Sequence, residues 1–226
     1  MDVTENGDLL SSQAGEGSTL DGEGDQYTAF QEWRYDRVFY EEEHPKLWLD
    51  LAESFYRSAA MLIAATAERK VNEEVEGIAG VFLFRHYLEL ALKHIIVAGR
   101  WVKGEGENAA REEVTQVKRI HNLGELWGLV LQDARAKIRD EVWQGYDTQF
   151  VERCILEFER IDPRGFAFRY AGHGVEKLNV NFVWLGEIMD HVYQVLEGIR
   201  TYLEEMYHQN EEYKAYLQAE YDANVD

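Results

Sequence analysis

The chain has 226 residues, 46% of them apolar, with two prolines and a single cysteine. That length is enough for a full hydrophobic core. Scarce proline favours helices, and one cysteine excludes a disulfide framework or a cysteine-rich zinc site. A formal charge of −20 excludes an extensive DNA-binding surface, because neutralising phosphates needs a basic face, but it leaves room for a local basic pocket.

Residues 1–26 carry seven acids and no base, among glycines and serines. Such a segment buries too little apolar surface to offset its ordering entropy, so a disordered acidic tail is expected. It suits a solubilising leader, or a peptide that competes for a basic partner surface. Without it, 36 acids still face 23 bases, so the acidity is general. The N-terminus lacks the basic start and apolar core of a signal peptide. The longest small-and-apolar run, Ser58 to Ala67, falls well short of the roughly 20 residues of a membrane span. A soluble, cytoplasmic protein with no membrane partner is expected.

Residues 27–45 are rich in aromatics, with Tyr27, Phe30, Trp33, Tyr35, Phe39 and Tyr40 at irregular spacing. They read as an arm laid across the domain, with Pro45 in the first turn of a helix. A helix is expected over 46–70, where Leu47, Leu51, Phe55, Ser58, Leu62 and Ala65 recur at three- and four-residue steps. A second is expected over 77–103, apolar on nearly every side and therefore central. The glycine-rich acidic stretch Gly104 to Asn108 ends it.

A third helix is expected over 122–136 and a fourth over 148–160, stopped by Asp162-Pro163. Residues 164–180 alternate like strands, with Phe166, Phe168 and Tyr170 and then two glycines, and predict a small hairpin or flap. The fifth helix runs from 182 to at least 207, and residues 211–226 continue it or form a separate extension. The expected fold is all-α. It is an up-and-down bundle of about five helices over 46–210, with the flap before the last one.

Three clusters carry candidate chemistry. The first is Arg85, His86, Glu89 and Lys93 in the second helix. Arg85, Glu89 and Lys93 are four apart, so they share one face. Charges in so apolar a helix are either paired within the bundle or border a groove in which Arg85, His86 and Lys93 bind an anion. The second is His121-Asn122, in which Asn122 is a good N-cap and His121 either braces a neighbouring helix or touches a ligand. The third is Asp162 to Tyr170 with His173. Arg164, Arg169 and His173 are its basic group, interleaved with aromatics as base stacking and phosphate contact require. The bland reading of this cluster is a flap whose aromatics plug the bundle while Arg169 meets a carboxylate.

Phosphate-loop, dinucleotide, zinc-protease and serine-hydrolase motifs are absent, and the seven histidines lack ligand spacing, so neither metal nor cofactor is expected. His191 has Glu187 four residues before it, an ordinary helix pair. Cys154 lies in an apolar helical pattern and reads as a buried inert thiol.

Three motifs, FLFRHYLELALKHII (Phe82 to Ile96), H-N-L-x-x-L-W (His121 to Trp127) and F-x-x-I-D-P-x-x-F-A-F-R-Y (Phe158 to Tyr170), occur in that order before a long final helix. In this the chain resembles HEPN-superfamily proteins, specifically prokaryotic HEPN-like proteins of unassigned role, over roughly residues 46–205. The resemblance implies a helical bundle, often a homodimer, in bacterial toxin–antitoxin, antiphage or RNA-processing systems. It implies RNA or a nucleotide as ligand and a protein partner. The superfamily's catalytic members are metal-independent ribonucleases with an R-x4-6-H motif, in which histidine moves a proton at the ribose 2′-hydroxyl and arginine stabilises phosphate charge.

This chain departs from that motif. Its one formal match, Arg37-x6-His44, precedes the bundle, and Arg169-x3-His173 is one residue too short. Three readings follow: an RNA- or nucleotide-binding interaction protein, an active ribonuclease using Arg169 and His173, and an acidic adaptor or antitoxin-like subunit without catalysis.

Overall fold

The computed structural model describes residues 45–102, 115–163 and 179–225. Helices dominate these residues, and no strand occurs among them. The expected tail, most of the aromatic arm, the Arg37–His44 pair and the 164–178 part of the expected flap all lie outside the described residues.

Helix α1 runs Pro45–Ala67. Its proline sits where the missing N–H costs nothing. The chain leaves α1 through Arg69, whose φ of 57° is left-handed, while Lys70 N–H closes on the Ala65 carbonyl at 2.8 Å. A single π-turn, Glu73–Gly77, then leads into α2. Asn72 caps it by accepting from Glu74 N–H at 2.8 Å, and the Glu76 carboxylate accepts from Asn72 N–H at 3.0 Å.

Helix α2, Ile78–Trp101, packs against α1, the later helices and both π-turns. Its core face is Phe84, Leu88, Leu92, Ile95 and Ile96. Glycines let it come close to its neighbours. A Cβ on Gly80 would stand 2.7 Å from Ile63 Cδ1, and one on Gly99 would stand 2.9 Å from Ala134 Cα.

Helix α3, Leu123–Leu129, passes into a π-turn, Val130–Ala134, and then a 3-10 turn, Arg135–Lys137. The expectation of one uninterrupted helix to 136 is therefore corrected. The winding widens where Ala134 meets the Gly99 backbone of α2. A short α4, Asp140–Gln144, was not expected. Helix α5, Thr148–Ile161, starts on the Asp147 cap and ends as predicted before Pro163.

Helix α6, Phe182–Val225, is one 44-residue helix, so the residues after 210 continue it. Its core side is Met189, Val192, Leu196, Ile199 and Leu203. Beyond Tyr207 its described side chains are all exposed. His191 does not follow the simple intrahelical expectation. Its Nε2 lies 3.4 Å from Asp147 Oδ2, and its ring meets Phe150 edge-on. Cys154 is buried, and burial pushes its thiol up to about 11, as expected of an inert sulfur. Among the described residues no helix is long and apolar enough to cross a membrane.

Candidate functional site: a basic loop anchored by buried cations

Arg85, Glu89 and Lys93 do share one face of α2, and that face is turned inward. Arg85 is 0% exposed and Glu89 only 5%. The Arg85 Nη1 donates to Glu89 Oε2 at 2.8 Å, and Lys93 Nζ donates to Glu89 Oε1 at 2.8 Å. Arg85 Nε lies 3.5 Å from Asp162 Oδ2, and both cations also reach backbone. Arg85 Nη2 donates to the His121 carbonyl at 2.6 Å, and its Nε to the Asp162 carbonyl at 3.4 Å. Lys93 Nζ also donates to the Lys118 carbonyl at 3.1 Å. Two buried cations thus hold the loop before α3 and the end of α5 by their main chains. A guanidinium can do this because its donors fork in several fixed directions.

The charge at Glu89 follows from these contacts. Burial would raise its pKa, but hydrogen bonds from Lys93, His121 and Arg85 outweigh burial and hold the carboxyl at about 2. It is a carboxylate, which only accepts. His121 Nδ1 lies 2.8 Å from Glu89 Oε1, so Nδ1 carries the proton and Nε2 presents a lone pair when the ring is neutral. The His121 side chain is 57% exposed, and Nε2 has no partner among the described residues.

The residues beside His121 are Lys118 and Arg119, and both are exposed. Neither has an ion-pair partner among the described residues. In a chain of −20 this is an unusual spot: three basic side chains within four residues, where the helical turn 115–118 passes into the loop before α3, held from beneath. Asn122 caps α3 by accepting from Glu125 N–H at 2.7 Å, and its amide donates to Glu159 Oε1. Glu159 Oε2 also accepts from Leu123 N–H at 2.8 Å. The loop is therefore fixed on both sides, which suits a contact that must not reorganise on binding.

Sequence reasoning singled out His121 but passed over Lys118 and Arg119. The signal was there, as K-R-I-H in an acidic chain. Arg85 and Lys93, read as anion contacts, have their donors on Glu89 and on carbonyls instead, and they reach the surface only through the loop they hold. His86 turns towards α1, with its ring stacked on Phe55 at 5.5 Å and edge-on to Phe82 at 4.4 Å. Arg164, Arg169 and His173 lie outside the described residues, although Arg164 follows Asp162 by two positions.

A second polar seam runs between α1, α2 and α6. Tyr56 donates to Asp190 at 2.6 Å, Tyr193 donates to Glu53 at 2.9 Å, and the two rings stack at 4.0 Å. His94 Nε2 lies 2.9 Å from Glu204 Oε1, and Arg200 pairs with Glu197 and Glu204. The open groove beside it along α6 is lined by Glu204, Glu205 and Glu212 with Thr201, His208 and Gln209, which repels phosphate. No cluster able to hold a metal ion occurs among the described residues. No family model, no curated protein and no solved structure matches this chain.

Proposed function

We propose that this chain is a HEPN-like, cytoplasmic RNA- or nucleotide-binding protein of a bacterial defence or toxin–antitoxin type system, and that it grips phosphate through Lys118, Arg119 and His121. The observation that carries this is the anchoring of that exposed basic loop by the buried Arg85 and Lys93. Phosphate contacts position a nucleic acid without reading its sequence, and three adjacent donors suffice for a short single strand. Acidity elsewhere repels longer duplexes. Arg164, Arg169 and His173 belong to this proposal on the sequence resemblance alone, since they lie outside the described residues.

The test is fluorescence anisotropy with a short labelled single-stranded RNA in EDTA. A Lys118→Glu/Arg119→Glu variant is expected to bind at least about tenfold more weakly. Its slope of log affinity against log salt should shrink by about 1.4, two single-strand phosphates at about 0.7 each. Equal affinity and equal slope for wild type and variant would refute the proposal.

The alternative, an acidic adaptor or antitoxin-like subunit, is favoured by one feature. Tyr213, Tyr216 and Leu217 stand exposed in a helical stripe on the overhanging end of α6, among Glu205, Glu211 and Glu212. That stripe fits a basic protein partner. Under this reading, a Tyr213→Ser/Tyr216→Ser variant fails to co-purify with the partner that wild type retains.

A further inference from the structure

We infer that the free end of α6 is a docking face for one helix of a partner protein, a helix with an apolar seam and lysine or arginine flanks. The inference rests on the adaptor reading above, for which it names the partner, and it is independent of the phosphate-binding loop.

The docking face is one stripe in two environments. Met189, Val192, Leu196, Ile199 and Leu203 follow one another at steps of three and four, and all five are buried. Met206, Asn210, Tyr213 and Leu217 continue the same alternation without a break. This is the heptad spacing at which one helix packs against another. Helix α2 lies beside α6 as far as Val102. The Trp101 ring is 5.9 Å from Tyr207, and the Asn210 amide donates to the Val102 carbonyl at 3.4 Å. From 208 to 219 every side chain is exposed, with Tyr213 at 62% and Leu217 at 44%. A short helix without a packed face is marginal in water, so a heptad seam kept there points to a second helix. Asn210 stands within the seam, where a single polar residue fixes the register of helix pairing.

The chemistry around the seam selects a basic partner. Residues 205–226 hold six acids and one base, Lys214, which already donates to Glu211 at 2.7 Å. At 3.6 residues per turn, Glu211 lies on one side of the seam and Glu205 and Glu212 on the other, each a step behind its edge. Tyr213 in the seam and the exposed Tyr216 at its edge offer aromatic faces. A lysine or arginine stem lies along such a ring, with its cation over the face or beyond it at a carboxylate. A second copy of this chain would instead set one acidic end against another, and like charges across an interface are unfavourable.

The experiment uses the full chain and a labelled synthetic helix of three heptads, about 21 residues long, with leucine and one asparagine in its seam and lysine or arginine elsewhere. Fluorescence anisotropy follows binding, with no RNA present. A second peptide carries glutamate in place of each lysine and arginine, and a third scrambles the first. The basic helix is expected to bind, and the other two at least about tenfold more weakly. Tyr213→Ser/Leu217→Ser should weaken the basic helix by about tenfold or more. Glu211→Lys/Glu212→Lys should weaken it several-fold. Glu73→Lys/Glu74→Lys should not, because that pair adjoins Gly77, where an added Cβ would stand 2.6 Å from Phe182 at the other end of α6. All the substituted side chains are exposed, so circular dichroism should show unchanged folding.

Tighter binding of the acidic helix overturns the inference and leaves an adaptor with a different partner. Binding that the seam variant leaves unchanged, or that the scrambled peptide equals, overturns it as bulk charge attraction. If no peptide binds, the inference is overturned, and the co-purification test above decides the adaptor reading alone. If the chain sediments as a dimer without peptide, and Tyr213→Ser/Leu217→Ser dissolves that dimer, the seam belongs to a second copy and the inference is again overturned.

Discussion

Helix α2 carries two polar seams, and they are built differently. On the Arg85–Glu89–Lys93 side, the cations that neutralise Glu89 also donate to three backbone carbonyls. On the His94 side, three contacts link side chain to side chain: His94 to Glu204, Tyr193 to Glu53, Tyr56 to Asp190. A carbonyl contact fixes where a main chain passes. A side-chain pair clips two helices together and leaves their loops alone. The first seam therefore positions a surface loop, and the second holds α1 and α6 against the core.

Deleting one partner from each seam gives the widest separation between them. Arg85→Ala removes one of the two buried cations that balance Glu89 and Asp162 and releases two carbonyls, and should cost about 3–5 kcal/mol of unfolding free energy in urea titration. Tyr193→Phe removes one half-buried hydrogen bond and should cost about 0.5–1.5 kcal/mol. Equal losses would dissolve the distinction.

Acid provides a finer comparison. Glu89 and Glu204 both lie at about 2, against an ordinary value of 4.5. At each, burial pushes upward and hydrogen bonds from cations or histidine prevail. Their folded values are depressed, so each contributes stability above pH 4.5 that is lost as the pH falls towards 2. For the buried Glu89 the contribution is about 3 kcal/mol at order-of-magnitude level. For Glu204, about a third exposed at its side chain, solvent screening makes it smaller. Unfolding midpoints measured between pH 6 and pH 2 should show Glu89→Gln flattening the acid loss more than Glu204→Gln does.

The smallest effect concerns the loop that the first seam carries. Lys118→Ala/Arg119→Ala should change stability by no more than about 0.5 kcal/mol, because both side chains are exposed. A larger loss would make them part of the anchor rather than of the surface it presents.

Much of the helical framework was legible in the chain itself. The starts and ends of α1, α2 and α5 follow from periodicity, caps and Pro163. The shared face of Arg85, Glu89 and Lys93 follows from four-residue spacing alone. What was not legible is long in sequence separation. The contacts that close the site span 25 to 77 residues, from Lys93 to Lys118 and from Arg85 to Asp162. The π-turn at Val130–Ala134 answers to Gly99, over thirty residues away, so no local pattern announces it.

Local spacing therefore determined most of the helices, the shared face of Arg85, Glu89 and Lys93 and the inert Cys154, because each depends on neighbours within a turn or two. Tertiary structure alone decided that Arg85 and Lys93 act as anchors and that Lys118, Arg119 and His121 are the surface they present. A charged side chain's role depends on whether water or a distant carbonyl meets it, and that is settled only when the chain has folded.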